Sequence, residues 1–178
     1  MATANLSNLS NLISIEEYLN TSYRPDVDYV DGKIEERNLG EFDHADLQSE
    51  INAVLRAHQK DWGVRVVVET RVRVSPIRVR IPDVCVLSAG LPRERIISHP
   101  PLLCVEVLSP RDTFKAMRKR VQDFFDMGVQ AVWIFNPETR TAHVCTPDAM
   151  TEYKSGTLRV DGTKISLSIE EVFSTLDT

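Results

Sequence analysis

The chain has 178 residues, about one domain's worth, and 42% hydrophobic with 26% charged residues is ordinary globular usage, which excludes disordered, collagen-like and low-complexity classes. No apolar run approaches the roughly 18 residues of a membrane span. The formal net charge of −5 conceals an asymmetry: residues 1–50 carry 11 acidic and 3 basic side chains, residues 51–120 carry 6 and 14, and residues 121–178 carry 9 and 4. Such a basic middle creates a local field that steers partners more than the net charge does.

Residues 1–13 include the Asn/Ser-rich stretch 3–11 and read as a flexible N-terminus. They lack the basic and apolar regions of a secretory leader. Residues 14–178 read as one domain. Ser14 caps a short helix, Ile15 to Leu19, with Glu17 at the capping-box position. Val27 to Glu36 alternates around Asp31-Gly32, a hairpin signal. Asp43 is the expected N-cap of a helix running to Trp62, with Leu47, Ile51, Val54 and Leu55 on its apolar stripe and Gly63 ending it. Val64 to Val74 and Arg78 to Leu87 read as two strands around the Ser75-Pro76 turn, followed by a loop over 88–101. Leu102 to Leu108 is nearly all apolar, the mark of a strand covered on both faces. A helix from Thr113 to Met127 ends at Gly128, and Gln130 to Phe135 and Thr141 to Cys145 are further strands. A hairpin turning at Asp161-Gly162 and a helix from Ser168 to Leu176 close the chain. The order predicts a mixed α/β (α+β) fold, a mixed sheet flanked by helices.

The cysteines, Cys85, Cys104 and Cys145, are odd in number and contain no CxxC pair. This argues against a disulfide framework and against structural zinc, and a reducing, cytoplasmic setting is the default. His58, His99 and His143 show no ligand spacing and read as surface residues.

Two acidic residues interrupt apolar strands: Asp83, after Pro82, and Glu106, between Val105 and Val107. A carboxylate in such a place is costly unless it is paired or metal-bound. Two readings stay open: each pairs with a nearby arginine, or together they bind a divalent cation such as Mg²⁺ or Mn²⁺, which takes hard oxygen ligands. Five basic residues between 111 and 120, including Arg111, Lys115, Lys119 and Arg120, open the following helix, where cations oppose the helix dipole. They form either a solvated face or a phosphate-contacting surface. Arg71, Arg73, Arg78 and Arg80 flank the Ser75-Pro76 turn as either a solvated hairpin tip or a basic ridge along a nucleic-acid backbone. Few aromatics accompany them, so a base-stacking platform for single strands is not indicated. His44 and Gln48 share a helix face beside the apolar stripe. Of Glu35 and Glu36, which point to opposite sides of their strand, Glu36 is the favoured third carboxylate.

These segments together resemble the Uma-two family of restriction-endonuclease-like proteins. The resemblance rests on Tyr29 to Glu36, His44, Arg80-Ile81-Pro82-Asp83-Val84, Pro100 to Pro110 with its Glu-Val-Leu-Ser-Pro, the helix to Gly128, and Trp133-Ile134-Phe135-Asn136-Pro137. It spans roughly residues 14–175. It implies a restriction-endonuclease-like core of the PD-(D/E)xK superfamily, a Mg²⁺-dependent endonuclease acting on double-stranded DNA, and a homodimer that cuts both strands. Asp83 and Glu106 would be the metal ligands, and His44 matches a family position. The superfamily lysine usually stands two residues after the second acid, where this chain has Leu108. The family draws it instead from the helix, at the position of Arg120, with Lys119 one residue earlier. Arginine does not accept protons, so the resemblance also leaves room for a weakened or inactive member that binds nucleic acid or a protein partner.

Overall fold

A computed structural model describes residues 2–3, 12–38 and 40–177. In chain order the elements are β1 Ala2–Thr3, α1 Ile15–Asn20, β2 Thr21–Ser22, β3 Asp28–Val30, β4 Lys33–Glu35, α2 Phe42–Ala57, α3 Gln59–Trp62, β5 Val64–Val68, β6 Val72–Ser75, β7 Arg78–Arg80 and β8 Val84–Ser88. They continue with β9 Leu103–Val107, α4 Phe114–Met127, β10 Ala131–Asn136, β11 Thr141–Cys145, β12 Met150–Tyr153, β13 Thr157–Arg159, β14 Ser166–Ser168, α5 Ile169–Phe173 and a 3-10 turn, Ser174–Asp177. The expected flexible segment, residues 1–13, lies largely outside the described residues; Ala2–Thr3 pair with β2.

The main sheet has six strands in the order β12-β11-β10-β9-β8-β5. Only β9 and β10 pair in parallel within it, joined by the crossover helix α4. A second sheet has the order β4-β3-β7-β6. One face of the main sheet packs Val84, Val105, Val107 and Phe135 against Leu47, Ile51 and Leu55 of α2 and against α5. Each of those three α2 side chains is fully buried and stabilises the fold by about 2 kcal/mol. The other face packs Cys85, Cys104 and Ile134 against Met117, Val121 and Phe124 of α4. The cysteines are buried free thiols.

Four expectations need correction. The helix expected to run unbroken from Asp43 to Trp62 starts at Phe42, with Glu41 at the N-cap position, and breaks at His58. Gly63 does end it, at φ +66°. Each long strand expected around Ser75-Pro76 is two strands in different sheets. The first breaks at Glu69, whose φ is +48°. The second breaks at Ile81-Pro82-Asp83, because Pro82 has no N–H for a ladder and Ile81 N–H donates to Asp28 Oδ1 at 3.2 Å instead. His143, expected at the surface, is buried on β11.

Candidate active site

The site forms where the chain crosses between the two sheets. β8 and β9 pair antiparallel with Val84 opposite Val105, so one step further Asp83 adjoins Glu106. Glu106 lies on the side of the sheet that holds Cys104 and reaches Arg120 of α4, whereas the Asp83 side chain meets His44 of α2. Asp83 is buried and its Oδ2 accepts from Val107 N–H at 2.7 Å. Its Oδ1 accepts from Arg37 Nη2 at 2.8 Å, and His44 Nε2 stands 3.4 Å from Oδ2. The Asp83 carbonyl accepts from Gln48 Nε2 at 3.1 Å and from Glu69 N–H at 3.3 Å. The Glu69 carboxylate in turn binds Arg37 and Gln48. The i, i+4 pair of α2 therefore grips Asp83, His44 at the side chain and Gln48 at the backbone.

Burial opposes the charge of Asp83, but His44, Arg37 and the Val107 N–H outweigh it and hold the carboxyl below its ordinary value. Burial also opposes the imidazolium of His44, and Asp83 outweighs it, so His44 titrates above 6.5. Glu106 goes the other way: burial pushes it up to about 8, the charge of Asp83 adds to the rise, and Arg120 resists it. Both Glu106 oxygens lie near Arg120 Nη2, at 3.0 and 3.2 Å. Arg120 also donates to Asp28 Oδ2 at 3.0 Å and to the Ile81 carbonyl at 3.1 Å.

The raised value of Glu106 has a consequence for stability. A carboxyl whose folded value lies above its unfolded value near 4.5 contributes stability fully below 4.5, and that stability is lost as pH rises through about 8. Glu106→Gln removes this dependence and keeps an acceptor for Arg120. In chelator, its Tm relative to the native protein is expected to rise between about pH 5 and pH 8 and to level off above that, read by thermal denaturation.

The structure distributes the other candidate residues as follows. Lys119, about half exposed, reaches Glu35 Oε1 at 3.3 Å and makes no bond to Glu106. Glu36 is exposed, and it is Glu35 that joins the buried network, through Arg80 at 2.8 Å. Arg80 is 1% exposed and binds Asp28 and Asp123 at 2.9 and 2.7 Å. Arg78 grips Asp31 with two bonds of 2.7 Å and Asp123 with a third. Arg71 binds Asp26 through two nitrogens and lies over the Tyr18 ring at 4.5 Å. Arg73 donates to the Pro76 carbonyl. The expected basic ridge is thus mostly paired within the chain: Arg71, Arg78 and Arg80 bind acids of the first 50 residues. Arg111 and Lys115 are exposed. Arg111, Lys119, Arg37 and Arg120 line one cleft of about 440 Å³ together with Glu35 and Glu36.

Arg37 and Glu69 did not stand out in the sequence. Glu69 ends a valine-rich strand and Arg37 lies in a coil, and only the crossing of the two sheets brings them to Asp83.

A family model described as "Putative restriction endonuclease", Uma2, matches residues 15–176. The chain belongs to the Uma2 family. No curated protein matches it. The Uma2 fold seen here is similar to the crystal structure of a "putative nuclease" of the DUF820 group from Anabaena variabilis, with a TM-score of 0.82 and 25% identity. That match covers 92% of this chain and 99% of the other. The expected nuclease-like fold is thereby established for this Uma2 chain, and no helix among the described residues is long and apolar enough to cross a membrane.

Proposed function

We propose that this Uma2 protein is a metal-dependent endonuclease that hydrolyses phosphodiester bonds in DNA. The observation that carries this reading is the meeting of Asp83 and Glu106, two buried carboxylates on adjoining strand ends beside a cation-lined cleft. Their donor set suits a hard divalent cation such as Mg²⁺ or Mn²⁺, which needs few protein ligands because it keeps several waters. Glu106 supports that fit, since burial and the neighbouring Asp83 charge leave it short of positive charge despite Arg120. Asp83 and Glu106 are the two ligands this reading assigns to the protein; among the described residues no group of three or more His, Cys, Asp and Glu is placed to hold a metal ion.

A bound cation would supply an acidified water and charge neutralisation at the phosphate. Arg120 and Arg37 stay charged and hold phosphate oxygens, Arg120 fixed in place by Asp28 and the Ile81 carbonyl. His44 and the Val107 N–H orient Asp83. A plasmid-nicking assay tests the reading: cleavage is expected in Mg²⁺ or Mn²⁺ and not in chelator. Equal cleavage by the native protein and by Asp83→Asn and Glu106→Gln would overturn the assignment.

One observation favours a second reading, a nuclease fold that binds nucleic acid or a protein with little turnover. The helix position next to Glu106 holds Arg120, which cannot accept a proton, and Lys119 turns to Glu35. Arg120→Lys separates the two. If Arg120 serves by holding phosphate, the variant is expected to cleave about tenfold more slowly, the worth of one charge-assisted hydrogen bond. A gain of cleavage would favour the second reading.

A further inference from the structure

Beside the carboxylates lies another cleft, of about 580 Å³, lined by Phe42, His44, Phe114 and Pro137 among others. Phe42 is the first residue of α2 and is 83% exposed; Phe114 is the first residue of α4 and is 60% exposed. Both lie outside the buried hydrophobic clusters. Phe114 meets the His143 ring edge-on at 6.2 Å, which fixes its base and leaves most of the ring free. Rings this exposed add little to folding by burial. Here they open the two helices that carry His44 and Arg120 to the carboxylates, so they border the same site.

This cleft adjoins the one that holds Arg37 and Arg120. His44 lines it while standing 3.4 Å from Asp83, and Asp112 lines both clefts. Their linings differ in charge. The first mixes Arg37, Arg80, Arg111, Lys119 and Arg120 with Asp28, Glu35, Glu36 and Asp112. The second has no Lys or Arg among its described lining residues and carries Glu41, Asp43 and Glu138. Only the first offers a phosphate Arg and Lys partners, and the carboxylates of the second repel one. A flat, uncharged group with a π-face for the phenyl rings and N–H donors for the carboxylates suits the second. A nucleobase has both properties.

We propose that the cleft between Phe42 and Phe114 takes a nucleobase unstacked from the strand being cleaved, so that the substrate is single-stranded or locally opened DNA. The proposal rests on the nuclease reading and names the form of its substrate. A base inside an intact duplex has both faces covered and must leave the stack to enter such a cleft. The acidic rim also keeps the backbone out, which places the phosphate on the Arg120 side and the base on the phenyl side.

The test is binding of a short single-stranded oligodeoxynucleotide carrying a fluorescent adenine analogue, and of its duplex, to the full chain in Ca²⁺. Expected are tighter binding of the single strand, quenching of the analogue on binding, and about tenfold weaker single-strand binding for Phe42→Ala or Phe114→Ala. The salt dependence should stay unchanged, because no phosphate contact is lost. Phe42→Trp should restore both affinity and quenching. Both positions are exposed, so circular dichroism is expected to match the native protein. Native binding that neither alanine variant weakens, or a preference for the intact duplex, would overturn this proposal while leaving the nuclease reading standing. Absence of any binding to either oligonucleotide, together with absence of metal-dependent nicking, would overturn both.

Discussion

Arg80→Met is expected to destabilise the protein by about 3 kcal/mol, the lower part of the range for breaking a buried ion pair. Arg80 is 1% exposed and bonds to Asp28 and Asp123, themselves buried, and to Glu35. Removing its guanidinium leaves those carboxylates short of positive charge in a dry setting. The loss stays at the lower end because Arg120 still reaches Asp28 and Arg78 still reaches Asp123. Arg78→Ala provides the contrast. Arg78 is about one-third exposed, and its loss is expected to cost no more than about 1 kcal/mol. Urea denaturation with an unchanged m-value checks both. Equal, small losses for the two variants would show that the buried network is not what joins the first 50 residues to the basic middle.

The second large effect concerns chemistry. Asp83→Asn and Glu106→Gln are each expected to lower metal-dependent cleavage by more than ~100-fold, since even groups that only support a metal ligand cost 10–100-fold when removed. Glu106→Gln is the cleaner of the two. It keeps the shape of the side chain and an acceptor for Arg120, whereas Asp83→Asn also disturbs the bonds from Arg37, His44 and Val107 N–H. Initial rates of plasmid nicking over a range of Mg²⁺ concentrations give the measure. Rates within a few-fold of native for Glu106→Gln would remove Glu106 from the mechanism.

Most of the architecture was legible in the sequence because its punctuation is local. Ser14, Thr113 and Ser168 each cap the helix that follows them, Gly63 and Gly128 end helices in the left-handed conformation, and Asp31-Gly32 turns the β3–β4 hairpin. Asp83 and Glu106 were also legible, as charges inside apolar runs. The sheet crossings at Glu69 and at Ile81-Pro82-Asp83 were not. Their backbone groups are satisfied by side chains and by one another, from distant parts of the chain: Ile81 by Asp28 and Arg120, Asp83 by Gln48 and Glu69. Hydrophobic alternation runs through such a crossing without a mark.

Charge was the feature most misread. Fourteen basic residues in 51–120 against 11 acidic ones in 1–50 suggested a surface field. Arg71, Arg78, Arg80 and Arg120 instead reach back to Asp26, Asp31 and Asp28. Much of the asymmetry is therefore spent inside the molecule, and Arg111 and Lys119, at the 440 Å³ cleft, are among the exposed cations that remain. The exposed Phe42 and Phe114 were not legible, because nothing local marks an apolar residue at a helix start as exposed, and Phe42 preceded the helix start expected at Asp43.

Calorimetric titration of Mn²⁺ into the native protein and into Glu106→Gln tests the central claim most directly, because it asks for the metal site without asking for turnover. Saturable binding to the native protein that is lost in Glu106→Gln is the predicted result. Absence of binding to the native protein, or binding that survives unchanged in Glu106→Gln, would contradict the account and leave Asp83 and Glu106 as partners of Arg37 and Arg120 alone.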